Sequence, residues 1–385
     1  MFLRTLSTDT QLSFDSLLLL SFGGPEKSED VVPFLENVTR GRGIPRERLE
    51  VVGEHYFALG GRSPLNDLNR EMITTIRSAL ERRGLDIPVY FGNRNWHPFI
   101  EDTAEAMARD GVRNTAVFAT SAWGGYSGCR QYHEDIARAR RAVTERGSVP
   151  PRMTRLGQFH DHPRFITEFA DAVDAARATL RTAADRDGAE LIFTAHSVPL
   201  SADAEAGPPG VGGQLYSRQV RDSARLILQA SSFGADAVAG AGATTEPTVV
   251  WQSRSGPPSI PWLDPDICDH LEARAASGNA RPVVLCPVGF VSDHVEVLWD
   301  LDTEARDTAQ SLGVELVRAA TPGSTAGFAD MVVDLMRDAA DAENAENAEN
   351  AADGSGVGAG VGIGEMPNFG NTVNGSLCAL HCCGS

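Results

Sequence analysis

The chain has 385 residues, with 34 Lys and Arg against 52 Asp and Glu, for a formal charge of −18 at pH 7. An acid excess of that size argues against nucleic acid as a partner, because phosphate would be repelled by the surface as a whole. The length exceeds what one hydrophobic core usually serves, so two lobes are expected, with a site in the cleft between them. Met1 to Leu12 lacks the apolar core of a signal peptide, and no apolar run approaches the roughly 18–20 residues that span a bilayer. No transmembrane segment is therefore expected, and the expected location is cytoplasmic. The six cysteines, Cys129, Cys268, Cys286, Cys378, Cys382 and Cys383, lack the dense spacing of a secreted disulfide scaffold.

After an amino-terminal extension over residues 1–13, the pattern alternates strand and helix. Ser16 to Ser21 reads as a strand that runs into the turn Phe22-Gly-Gly-Pro25, with an amphipathic helix over Glu26 to Thr39. Helices are expected at Asp67 to Arg83 and Phe99 to Asp110, beside strands at Val89 to Phe91 and Thr115 to Thr120. These fill a first lobe, 14–155. A second lobe, 156–340, repeats the scheme. Its expected helices are Arg164 to Thr182, Ser217 to Ser231 and Asp266 to Ala276, and its strands Glu190 to Thr194, Thr248 to Gln252 and Val283 to Pro287. The fold class is α/β, two Rossmann-like lobes with parallel sheets. From Asp341 the Glu-Asn-Ala repeats and a Gly-rich stretch predict a flexible linker, 341–376, ending in a Cys-rich tail, 377–385.

Two segments carry the chemistry. Leu191-Ile-Phe-Thr-Ala-His196 reads as a buried parallel strand with a histidine at its carboxyl end, where open α/β sheets place ligands. About a hundred residues on, Ser292-Asp-His-Val-Glu296-Val-Leu-Trp-Asp300 interleaves acids with apolar residues, which points to a partly buried carboxylate. A histidine beside such a carboxylate is a proton-handling or hard-metal arrangement. Asp293, His294 and Asp300 alternate with it and suggest a polar route to the same site. Phe22-Gly-Gly-Pro25 lacks the Lys and hydroxyl of a phosphate loop, but it lets a large flat ligand approach the backbone. Arg40 and Arg42 offer two guanidinium groups suited to carboxylates. His55, Tyr56, Ser63 and Tyr132 lie in or beside further small-residue turns.

These residues resemble the ferrochelatase family, in its coproporphyrin type found in Gram-positive and actinobacterial lineages. The matching segments are Leu18 to Pro25, Phe34 to Gly43, Leu59 to Asn66, Ser121 to Tyr132, Thr194 to Pro199, Trp251 to Trp262 and Ser292 to Asp300. The resemblance implies two Rossmann-like lobes around a porphyrin cleft, and insertion of ferrous iron into coproporphyrin III. It places His196 and Glu296 at the metal-insertion site as catalytic and metal-binding residues. Propionates would sit near Arg40, Arg42, His55, Tyr56, Ser63 and Tyr132, and the ring would be bent against Phe22, Trp251 and Trp262. The implied partners are the porphyrin and ferrous iron, with transient contact to neighbouring haem-pathway enzymes.

The chain departs from the family pattern at two places. Many relatives of this type carry tyrosine where Phe22 stands. Members with a [2Fe–2S] cluster use three carboxyl-terminal cysteines and one internal cysteine, expected on the helix after His162, yet Ile166 to Thr182 contains none. Cys378, Cys382, Cys383 and Cys129 are the remaining candidates for such a cluster. Protoporphyrin IX ferrochelatase, cobalt or sirohydrochlorin chelatase and a non-catalytic porphyrin carrier are the alternative readings.

Overall fold

Four consecutive leucines, Leu17 to Leu20, make β1 (Ser16–Ser21) a strand buried on both faces. That apolar continuity is what a parallel sheet covered on both sides requires. The computed structural model describes residues 12–41, 43–208, 210, 212–238, 246–255, 259–352, 369–372, 376–378 and 382–383. In the first lobe β1 is followed by α1 (Val31–Val38), α2 (Arg46–Ala58), α3 (Leu65–Arg82), β2 (Val89–Asn93), α4 (Ile100–Arg109), β3 (Asn114–Ala119), α5 (Gln131–Glu145) and β4 (Arg152–Arg155). The second lobe opens with α6 (Pro163–Ala178), α7 (Ala183–Gly188), β5 (Glu190–His196), α8 (Leu200–Ala204), α9 (Leu215–Ala230) and α10 (Ser232–Val238). It continues through β6 (Thr248–Gln252), α11 (Ile267–Ala276), β7 (Val283–Cys286), α12 (Val295–Trp299), α13 (Arg306–Ser311) and β8 (Leu316–Arg318). Last come α14 (Ala326–Ala352) and a hairpin of β9 (Phe369–Thr372) and β10 (Ser376–Cys378).

Both sheets are parallel and share one topology: β2-β1-β3-β4 in the first lobe and β6-β5-β7-β8 in the second. The leading strand of each lobe lies inside its sheet, so the chain crosses first to one side of it and then to the other. A crevice opens at the carboxyl end of such a strand. Ser21 of β1 and His196 of β5 occupy these equivalent ends, paired with Asn93 and Gln252. The α/β fold expected from the sequence is the fold observed.

Alternation along β1 divides the core. Leu18 and Leu20 face α4 and α5 in an outer cluster, whereas Leu17 and Leu19 join a central cluster with Phe193 and Ala195 of β5. Each lobe thus keeps an outer core and shares a central one, which differs from the two separate cores that length alone predicts. Rings of Phe118, Phe159, Phe165 and Phe328 interlock there at centroid distances of 5.2 to 6.3 Å. Packing of that kind ties the two sheets together and fixes the cleft walls.

The final helix extends into the start of the expected linker. α14 runs on through Ala352, beyond Asp341, because Ala and Glu are strong helix formers and because the helix is anchored to the first lobe. Glu343 accepts hydrogen bonds from Ser13 Oγ and Thr154 Oγ1, both at 3.0 Å, and pairs with Arg152 at 3.0 Å. Asp334 pairs with Arg83 of the α3 C-terminus at 3.0 Å and Arg164 of α6 at 2.7 Å. The expected helix over Arg164 to Thr182 ends earlier, at Ala178, since Thr182 and Asp185 form a reciprocal cap that starts α7. Residues 353–368 and 373–375 of the expected linker lie outside the described residues. Among the described residues, no helix is long and apolar enough to cross a membrane.

Candidate active site

His196 is delivered to the cleft by the register of β5. The strand ends where Ser197 turns away, its N–H bonded to Gln252 O at 2.8 Å and its hydroxyl donating to Leu263 O at 2.8 Å. Tyr216 of α9 donates to the His196 carbonyl at 2.8 Å. His196 Nδ1 meets the carbonyl oxygen of Ser197. Only a donor suits that carbonyl, so Nδ1 carries the proton in the neutral ring and Nε2 presents its lone pair to the cleft. Nε2 lies 3.6 Å from Glu296 Oε2, with the two side chains 34% and 49% exposed. The loop after β7 reaches this point only because Gly289 has no side chain; a Cβ there would stand 2.5 Å from that of Ala195.

Glu296 sits in the first turn of α12, whose start is capped by His294: Nδ1 accepts the Glu296 N–H at 3.2 Å. Burial holds the His294 ring below its ordinary pKa, against the opposing pull of Glu296, so it is a neutral cap. A π-helical turn, Asp300–Ala305, continues from α12 and brings Asp300 behind Glu296. Asp300 accepts from Ser253 Oγ and from Gln252 Nε2, the latter at 3.3 Å. Burial, reinforced by the negative charges of Glu296 and Glu304 and opposed by these hydrogen bonds, pushes its carboxyl up to about 7. Ser253 holds φ at +62°, a left-handed conformation that a non-glycine residue adopts at a cost.

Of the residues expected from alternation to form a polar route, Asp300 lies within the electrostatic reach of Glu296, and His294 caps α12. Asp293 is turned away into an ion-pair network, accepting from Arg318 at 2.9 and 3.1 Å and from Thr321 at 3.1 Å. Arg318 also binds Asp302 at 2.7 and 2.8 Å.

The first lobe supplies the opposite wall. Gly23, at φ +85°, lets the turn after β1 pass against Asn93, and Asn66 pins that turn by donating to Gly24 O at 3.3 Å. Phe22, on the turn at the carboxyl end of β1, is exposed, with its ring edge-on to Phe34 at 6.3 Å. Ser63 is buried against Gly24 and accepts the Leu65 N–H at 3.3 Å. From α2, His55 stacks on Trp299 of α12 at 4.2 Å and 9°, bridging the two lobes one turn beyond Glu296. Its neighbour Tyr56 is kept as a neutral phenol by burial, with the Glu296 charge adding to the effect. Tyr132, 4% exposed, lies beneath the Arg94 guanidinium at 4.3 Å.

Arg40 is exposed on the turn after α1, and Arg42 lies outside the described residues. Trp262 is half-buried, but Trp251 is 1% exposed within the central core, so it is no cleft wall. Sequence reasoning missed Arg94, Tyr216 and Arg318, whose partners come from other elements.

A second polar site lies at the tail. Cys382 and Cys383 are buried with sulfurs 3.8 Å apart, and Cys383 exchanges hydrogen bonds with Gly207. Hydrogen bonding from the Cys382 thiol, opposed by burial, lowers the Cys383 thiol to about 7. Arg130 donates to the Cys382 carbonyl at 3.2 Å, and Arg155 donates to Cys129 Sγ at 3.2 Å. The backbone of Cys378 lies in β10. Among the described residues no three His, Cys, Asp or Glu side chains converge as a metal site.

The ferrochelatase family profile matches residues 15–340. A coproporphyrin III ferrochelatase of Nocardia farcinica is 54% identical over 97% of this chain and 97% of its own length. One from Mycolicibacterium smegmatis is 52% identical over 96% and 99%, and one from Corynebacterium diphtheriae 48% over 98% and 96%. Among solved structures, SirB from Bacillus subtilis with Fe3+ matches with a TM-score of 0.47 and 12% identity, covering 83% of this chain and 95% of that one. From the extent of the profile match and these full-length identities, the chain belongs to the ferrochelatase family.

Proposed function

We propose that the chain inserts Fe2+ into coproporphyrin III to give coproheme. The observation that carries this reading is the His196–Glu296 pair, 3.6 Å apart on one lobe at the carboxyl end of β5. Insertion replaces two pyrrole N–H protons by a dication, so the site must hold a metal and accept protons. The Nε2 lone pair of His196 suits either task, and Glu296 adds negative charge on the same side. Asp300, with its carboxyl near neutrality, can pass protons outward. In this reading the propionates lie near Ser63, Tyr132, His55, Tyr56 and Arg40, with Phe22 at the ring face. The relatives' full-length similarity supports coproporphyrin III over protoporphyrin IX.

The test is His196→Ala, measured for porphyrin binding and for iron insertion separately. Binding is retained and insertion falls by about a hundredfold or more. Retained insertion would reject the role of His196, and a wild-type protein that binds porphyrin without insertion would be a carrier.

We also infer that Cys129, Cys378, Cys382 and Cys383 hold a [2Fe–2S] cluster. The buried thiols of Cys129, Cys382 and Cys383, with Arg130 and Arg155 beside them, suit an anionic, thiolate-ligated group, and the lowered Cys383 thiol suits ligation at neutral pH. Such a cluster would supply a one-electron redox centre.

A further inference from the structure

We propose that Arg94 binds a carboxylate of the tetrapyrrole substrate and sets the preference for a polycarboxylate porphyrin; this rests on the porphyrin reading above. Arg94 follows β2 directly, and its N–H bonds to Ser21 O at 2.9 Å, which fixes it at the carboxyl end of β1. The residue is only 9% exposed. Its Nε donates to Asp135 at 2.6 Å, and its Nη1 to Gln131 Oε1 at 3.0 Å and Ser127 O at 3.4 Å. Nη2 has no partner among the described residues.

A buried guanidinium nitrogen without an acceptor is costly, so the donor is retained where an acceptor arrives. The acceptor would arrive from the cleft: Cζ lies 4.3 Å from the Tyr132 ring and 6.0 Å from that of Phe22, the exposed residue on the turn after β1. A carboxylate fits best, since charge-assisted bonds to guanidinium are the strong class. The site is also local in the required sense. A chain carrying −18 repels a polyanionic porphyrin, and a buried, pre-oriented donor gives specific attraction against that background. Arg40, by contrast, is on an exposed loop and keeps its rotamer freedom.

Arg94→Lys and Arg94→Gln separate this role from a structural one. Asp135 keeps a second cation, Arg138 at 2.9 Å, so both variants retain a counter-charge in the core. Lysine preserves the positive charge but lacks the Nη2 donor. The measurement is the dissociation constant of the full-length protein for coproporphyrin III and for its tetramethyl ester, both in the same mild detergent, with a melting curve for each variant. The proposal expects affinity for the acid to fall about tenfold in both variants while the ester is unaffected, so that their ratio collapses. Equal loss for acid and ester would mark Arg94 as structural and overturn the proposal, as would no loss for either. If the wild-type protein binds neither porphyrin, the porphyrin reading itself fails and this inference falls with it.

Discussion

Replacing Asp300 by asparagine should make the protein more stable at alkaline pH while changing it much less in acid. The folded protein holds a proton on Asp300 up to a pH of about 7, whereas the unfolded chain releases it near the ordinary 3.8. Between those values the folded state binds more protons, so stability must fall as pH rises through the window. At about 1.4 kcal/mol per pH unit, the interval gives a full cost of about 4 kcal/mol above pH 7. The asparagine side chain has no charge to bury, and its amide oxygen can still accept from Ser253 and Gln252. Urea melts of wild type and Asp300→Asn at pH 5 and pH 8 would read this directly. At pH 5 about a third of the cost is already present in the wild type, so the variant should gain about 2–3 kcal/mol between the two conditions. An equal difference at both pH values, or a variant less stable at pH 8, would refute the assignment of Asp300 as a carboxylate strained by burial.

Arg318→Leu leaves Asp293 and Asp302 without their cation, and both are partly desolvated. A loss of about 2 kcal/mol is expected in chemical melts, below the full penalty of deeply buried pairs because solvent still reaches Asp302. Protein purified anaerobically from iron-replete cells should show visible absorbance and two irons per chain, and Cys382→Ser should abolish both. Colourless, iron-free wild-type protein would remove the cluster.

The central strands were legible because a parallel strand buried on both faces must read as an apolar run, as β1 and β5 do. His196 was legible for the same reason, standing where the run stops. Glu296 could be found because apolar residues flank it, yet the same pattern misplaced Asp293. Its partner Arg318 arrives from β8, 25 residues on, and no local spacing signals that. Arg94 was missed on like grounds: Asp135 and Gln131, which hold it, lie on α5, 41 and 37 residues away. Trp251 was misread as a wall because aromatic residues serve cores and clefts alike. The Ala-Glu-Asn segment looked like a linker by composition, and what secures the helix leading into it is non-local, through Glu343 to Ser13 and Thr154.

The central claim is iron insertion into coproporphyrin III at the His196–Glu296 pair. The most direct test is to mix purified protein with Fe2+ under anaerobic conditions, with coproporphyrin III and protoporphyrin IX in separate reactions, and follow porphyrin fluorescence. Rapid loss with coproporphyrin III, little with protoporphyrin IX and none in His196→Ala is the predicted result. Persistent fluorescence with both porphyrins in the wild-type protein, despite tight binding, would contradict it.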